Sequence, residues 1–427
     1  MPETAASFEM RRGVGVHEWL NWSPIVDANN YAWPPYRSIN QWRSSARPLS
    51  DWPEGDALAA IREIGFDFVR LSVDPGPLLT SEGAKRQALD IIVEAVSALQ
   101  AAGLNVVVNL HSVSQIPAYG MEVIEGGADS DGILAYREMV KAVARAIVKT
   151  KVDQVALEPY NEPGYYPCDE SGTEDWQRII ATTVADIRSV DPNLPIIATG
   201  ACGGSITGLT DLQPSFDDRN IYYSFHMYEP HEFTHQGALD PEDFLAGLPW
   251  PSTSGSARST IEGLRAHMQA AGLDEGQQQE NLDRVSGTIG AYFRDGWTIG
   301  KMRARLDEAA QWAKRYGIPS NRLFMGEFGA RRITHDGRSG AYDADRLTYL
   351  NEIRSAAEAH DIPWSVWEYS NPHGMTVIET SGPAVPPLPV MITVTSSGRN
   401  VTAPWVLALK VRQRRSASAK DPAPSSI

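Results

Sequence analysis

"DQVALEPYNEP", residues 153–163, opens on the apolar run Val155-Ala156-Leu157 and ends on Asn161-Glu162-Pro163. The run reads as a strand, and the polar end as what that strand delivers. Short β-branched or apolar runs of the same kind recur on both sides. Before it stand RRGVGV (11–16), FDFVRLSV (66–73) and LNVVVNLH (104–111). After it come LPIIATG (194–200), NIYYSFHMY (220–228), NRLFMGEFG (321–329) and IPWSVWEY (362–369). Between most of them lie stretches with apolar residues at helical spacing, such as 84–103, 133–148, 174–190 and 302–317. Strand then helix, eight times over, predicts an α/β chain folded as a (β/α)8 TIM barrel. A doubly wound open sheet shares the local pattern, but Gly13-Val14-Gly15 lacks the third glycine of a dinucleotide-binding turn.

The 427 residues are 42% hydrophobic and 21% charged, ordinary for a folded chain and unlike a disordered, collagenous or coiled-coil one. A formal net charge of −15 argues against nucleic acid and anionic membranes as partners, since both need a basic face. A neutral partner fits better, and 12 Trp with 15 Tyr suit stacking on the apolar faces of sugar rings as well as core packing. No apolar run reaches the roughly 18 residues of a membrane span. The start, MPETAASFEMRRGVGV, lacks the apolar stretch of an export signal. The chain as written reads as a soluble monomer.

Residues 1–380 read as one catalytic domain with an insertion at about 229–296, where PWPSTSGSARST (249–260) is rich in loop residues. Residues 381–427 read as a closing segment and a flexible basic tail, with APWVLALKVRQ (403–413) the candidate eighth helix.

In such a barrel the working residues come from the carboxyl ends of the strands. Those ends supply Arg70, His111, Asn161 with Glu162, His226 with Tyr228, Glu327 within MGEFG, and Trp367. Glu162 and Glu327 could face each other across the mouth. A facing carboxylate pair is what glycoside hydrolysis needs: one acid to protonate the leaving oxygen and one carboxylate for the opposite face of the sugar.

This ordered set resembles glycoside hydrolase family 5, the cellulase-like retaining barrels, over about residues 11–375, with NEP and GEFG the most diagnostic motifs. The resemblance implies Glu162 as general acid/base and Glu327 as nucleophile, acting on a β-linked glucan without metal or cofactor. Endo-β-1,4-glucanase activity leads; β-1,3-glucan and β-mannan use the same set. Asn161 would bind the sugar 2-hydroxyl, Arg70 would hold Glu327 ionised, and His226 and Tyr228 would orient it. His111 would contact a sugar hydroxyl and Trp367 would floor the subsite. The retaining geometry calls for carboxyl groups about 5–5.5 Å apart. Such a substrate places the enzyme outside the cell or in its envelope, whereas an authentic start without an export signal places it in the cytoplasm. The reading of another class is a sugar-binding barrel without catalysis, against which the intact glutamates count.

Other candidates are weighed against these. Glu158, on the same strand face as Glu162 but deeper, suits an ion pair inside the barrel. HEFTH (231–235) matches the H-E-x-x-H pattern of zinc peptidases, but no long amphipathic run follows it, so it reads as a loop carrying His231, Phe233 and His235 over the cleft. The first loop holds Trp19, Trp22, Trp33, Tyr36, Trp42 and Trp52, as sugar platforms or as a self-packed cluster. Cys168 and Cys202 should lie close at the mouth without being obliged to bond.

Overall fold

The computed structural model describes residues 8–377 apart from 47–55, 113–114, 166, 169–174, 215–217, 219, 239–243, 335 and 371–373. Trp52, the proposed tail and the candidate eighth helix lie outside the described residues. Eight parallel strands close into a barrel: β1 Arg12–Leu20, β2 Phe68–Val73, β3 Asn105–Leu110, β4 Val155–Glu158, β5 Ile196–Thr199, β6 Ile221–Met227, β7 Leu323–Phe328 and β8 Trp364–Val366. Each pairs with its sequence neighbours, and β1 with β8. Parallel strands covered on both faces read as continuous apolar runs rather than alternating ones. Every residue of β2, β4 to β8 is buried accordingly.

The helices pack one stripe against this wall. In Asp131–Lys149 the buried side chains Ile133, Tyr136, Val140, Val143 and Ile147 recur every three or four residues, and Ser130 caps the first turn by accepting from the Ile133 amide. Inside the barrel, at its amino-terminal end, Phe8 and Met10 join Phe68, Val107, Ala156, Ile197, Tyr222 and Phe324 in a separate small core. Gly13 makes room there, because a Cβ would sit 2.3 Å from the Phe68 ring.

The insertion after β6 is more structured than its loop-rich composition suggests. It holds helices Ala257–Ala270 and Glu275–Asp295 before the barrel helix Ile299–Arg315, and Leu245–Ala246 pairs in parallel with Ser339–Gly340. No helix among the described residues is long and apolar enough to cross a membrane. Cys168 and Cys202, expected to be close with their pairing left open, are bonded, with Cα atoms 4.9 Å apart. The loops after β4 and β5 carry them, and the Gly203 amide also donates to the Pro163 carbonyl at 3.0 Å, so the two loops are already neighbours.

Candidate active site

Arg70, from the middle of β2, is the hub of the barrel mouth. Fully buried, it donates from Nε to Glu158 Oε2 (2.7 Å), from Nη1 to Glu327 Oε1 (2.5 Å) and from Nη2 to Asn161 Oδ1 (2.8 Å). Burial alone would lower its pKa, but the charges of Glu158 and Glu327 more than offset that and raise it. Glu158 is thus the deep ion-pair partner that its strand position suggested, with Thr199 donating to its other oxygen.

Glu327 reaches the mouth through an irregularity. Met325 pairs with Phe225 but Glu327 pairs with His226, so β7 carries one extra residue, Gly326, against β6. A Cβ on Gly326 would lie 2.6 Å from Ser224 Oγ and 3.2 Å from His226 Nε2. The glycine of MGEFG lets the strand bulge there. Tyr228 then donates its hydroxyl to Glu327 Oε2 at 2.8 Å. Burial first, then the nearby glutamates, push the Tyr228 pKa well up, so the phenol keeps its proton.

Glu162 follows β4 at φ +35°, in the left-handed region that side chains seldom adopt, a form of backbone strain that clusters at functional sites. Its side chain is 40% exposed where that of Glu327 is 4%. His226 Nδ1 donates to Glu162 Oε1 at 2.7 Å and lies 3.6 Å from Glu327 Oε2. One oxygen of each glutamate and a ring nitrogen of His226 all fall within 4.8 Å of one another. Burial works against a charged His226, but Glu327 and Glu162 outweigh it and raise its pKa.

His111 behaves oppositely. Burial, then the charges of His17, Arg70 and His226, depress its pKa well below the usual range. Its contacts agree with a neutral ring: Nδ1 donates to Asn109 Oδ1 (3.2 Å) and Nε2 accepts from Asn161 Nδ2 (3.4 Å). Asn161 is therefore oriented at both ends of its amide. Trp367 stacks near His111, ring centroids 5.5 Å apart, and lines the cleft; the Trp367–Glu368 peptide is cis. Glu368 is fully buried, and burial, then Glu18 and Glu327, hold its pKa well above the carboxylate range.

The structure brings together all eight residues read from the sequence, in and beneath a cleft of about 430 Å³. A larger cavity, about 660 Å³, opens at the other end of the barrel among Phe8, Arg12, Asp67 and Arg322. The titratable groups read from the sequence converge at the smaller one. Two further residues were not read: His17, whose ring meets those of His111 and Trp367 at 4.9 and 4.7 Å, and Asn21, which donates to the His111 carbonyl at 3.0 Å. Both follow from β1 running four residues past RRGVGV, to Leu20.

HEFTH forms a single helical turn, His231–Thr234. The His231 and His235 rings lie face to face, centroids 4.0 Å apart, on the cleft rim. Burial, then His231 and Arg331, push His235 down to about 3. Phe233 does not overhang the cleft as expected: it is fully buried against Trp250 and Tyr349. Among the described residues the group of three able to converge on a cation is Glu162, His226 and Glu327, not HEFTH. The first loop divides in the same way, with Trp19 stacked on Trp42 at 4.5 Å in the core, Tyr36 buried, and Trp22 and Trp33 exposed.

A closed parallel barrel with its polar cluster at the carboxyl mouth defines the class of (β/α)8 barrel enzymes. Within that class the chain belongs to the Cellulase family, glycosyl hydrolase family 5, whose sequence profile matches residues 27–373. It is 28% identical over 252 residues to Endoglucanase 3 of Fibrobacter succinogenes, a match covering 59% of this chain and 34% of that one. To Cellodextrinase A of Ruminococcus flavefaciens it is 26% identical, covering 49% and 61%. The chain therefore spans between a third and two thirds of these two relatives. Endoglucanase C of Acetivibrio thermocellus is 25% identical, over 73% of this chain and 82% of its own. Among solved structures, Thermotoga maritima Cel5A with cellobiose superposes with a TM-score of 0.57 at 19% identity, covering 87% of this chain and 93% of that one, a likeness of fold.

Proposed function

We propose that this protein is a retaining glycoside hydrolase of a β-linked glucan, an endo-β-1,4-glucanase first, working by double displacement with Glu162 as acid/base and Glu327 as nucleophile. The observation that carries the reading is the asymmetry of the carboxylate pair. One oxygen of each lies within 4.8 Å of one of the other, so the pair can flank a single glycosidic bond, for which a retaining mechanism calls for carboxyl groups about 5–5.5 Å apart. Glu327 is buried and receives Arg70 and Tyr228, one on each oxygen, which suits a carboxylate that must attack an anomeric carbon and later depart from it. Glu162 is held by one imidazole and is open to the cleft, which suits a group that passes a proton to the leaving oxygen and then takes one from water.

The other residues divide the remaining work. Asn161, pinned by Arg70 and His111, presents an amide hydrogen to the sugar 2-hydroxyl, a contact that strengthens in the transition state. Trp367 offers its ring as the floor of the reacting subsite. Both Glu327 oxygens are already engaged by donors, and the Arg70 charge lies beside His226, so the cluster suits protons and a sugar rather than a cation.

The test is hydrolysis of a soluble β-1,4-glucan and of an aryl β-cellobioside by wild type and Glu327→Gln, with the first-formed anomer followed by NMR. Hydrolysis with retention, lost in the variant, is the expected result. An inverted product would refute the double displacement, and full activity in Glu327→Gln would refute the assignment.

A further inference from the structure

Beside the catalytic cleft lies a second cavity, about 540 Å³, lined by Gly237, Ala238, Arg331, Thr334, Asp336, Arg338 and Ser339. Arg331 stands between the two. It follows Glu327 by four residues, its amide donates to the Thr234 carbonyl, and its Nε lies 4.0 Å from the position a Cβ would take on Gly374, next to the cleft-lining Met375.

Arg331 is half-buried, and among the described residues its guanidinium contacts no carboxylate; its one side-chain hydrogen bond is a long one, from Nη1 to the Gln236 carbonyl at 3.5 Å. Burial lowers its pKa, the mark of a cation out of water without a counter-charge. The other arginines near the cleft are placed differently: Arg70 holds two carboxylates and Arg305 holds Glu229. The acid in this cavity, Asp336, turns back on its own loop, where Oδ1 accepts from Thr334 Oγ1 at 2.7 Å and from the Arg338 amide at 3.1 Å. Arg338 adds a second positive charge, its guanidinium lying 4.5 Å from the centroid of the Phe244 ring. Gly237, at φ +66°, keeps the wall open, since a Cβ there would meet Ser339 Cβ at 2.3 Å.

We propose that this cavity is a subsite for a carboxylate-bearing sugar unit, so that the preferred glucan carries acidic residues or substituents close to the bond that is cut. The inference rests on the glucanase reading above and narrows its substrate. A guanidinium matches a carboxylate in planar two-point geometry, and a neutral glucan leaves it without a partner. The overall charge of −15 does not prevent this, because the field of distant surface acids is screened beyond roughly 8–10 Å whereas Arg331 would meet the carboxylate directly.

The experiment compares three polymers: a soluble cellulose oxidised in part at C6 to the carboxylate, the methyl ester of that same polymer, and the unoxidised glucan. Wild type, Arg331→Gln and Arg331→Lys are assayed at low and high salt. The expected ratio of kcat/KM on the carboxylate polymer to that on its ester is about tenfold higher for wild type than for Arg331→Gln, as a charge-assisted hydrogen bond would give, with Arg331→Lys between them and salt eroding the difference. Equal ratios in wild type and Arg331→Gln would overturn the subsite while leaving hydrolysis of the unoxidised glucan to vouch for the enzyme. Cleavage of none of the three would overturn the glucanase reading and this one with it.

Discussion

Replacing Tyr228 with phenylalanine removes one O–H and nothing else from the cluster. The lost bond is 2.8 Å long and runs to an oxygen of Glu327 that has His226 Nδ1 as its next donor, 3.6 Å away. A hydrogen bond to a charged group contributes about 1.5–3 kcal/mol, or about 10- to 150-fold in rate. Since Arg70 still holds the other oxygen, the lower end of that range is expected. The loss should not fall evenly on the two half-reactions. Attack converts the Glu327 carboxylate into an ester, which needs the donor less, whereas hydrolysis of the glycosyl-enzyme regenerates the carboxylate and needs it more. Tyr228→Phe should therefore lower kcat about tenfold, lower KM with it, and leave kcat/KM less affected. An aryl β-cellobioside gives the steady-state constants, a stopped-flow burst reports the faster first step, and intact-protein mass spectrometry detects the accumulated adduct. A kcat within twofold of wild type, or kcat and kcat/KM falling together without an adduct, would refute the reasoning.

Arg70→Met leaves Glu158 and Glu327 buried without their shared cation, and urea unfolding should show a loss of about 3–5 kcal/mol, with a much smaller loss when Glu158→Gln is added. The raised pKa of His226 means that its contribution to stability is complete below the unfolded value of about 6.5 and is lost as pH climbs through the folded one. The Tm gap between wild type and His226→Gln should accordingly be widest near about pH 6 and narrow on the alkaline side. Joining residues 34 apart, the disulfide should contribute about 4 kcal/mol by restricting the unfolded chain, so Cys168→Ser/Cys202→Ser should melt earlier than wild type in the absence of reductant and equally in its presence. Exhaustive chelation should leave activity intact; loss with recovery on stoichiometric zinc would make HEFTH or the Glu162–His226–Glu327 group a metal centre.

The barrel was legible because its strands are sandwiched between helices and a packed interior, so seven of the eight announce themselves as nearly unbroken apolar runs. β1 is the exception in part: RRGVGV is visible, but the strand continues through His17-Glu18-Trp19-Leu20, whose polar members disguise it, and His17 was overlooked for that reason. The cluster at the mouth was readable because all of it but Arg70, which sits within β2, lies at or just past the carboxyl end of a strand, a position fixed by local sequence. Phe233 was misplaced because it belongs to a short turn whose direction is set by Trp250 and Tyr349, residues far off in the chain. In the insertion, Leu282, Val285, Ile289 and Tyr292 do carry helical spacing, but the Gln-rich surroundings dilute it. The Cys168–Cys202 bond depends on how two loops approach each other, which spacing along one chain does not encode.

The plug at the barrel floor sets the direction in which the molecule can be tethered. Phe8 is held there, its carbonyl bonded to the Tyr222 hydroxyl and its ring set edge-on against the Tyr222 ring at 5.9 Å, on the end of the barrel away from the cleft. A purification tag, a linker to a bead or a second module joined at the amino terminus is thereby anchored, through Phe8, on the back of the molecule. Immobilised through that side, the protein would face its open mouth toward the surrounding liquid, leaving a long polymer free to thread across it from either direction.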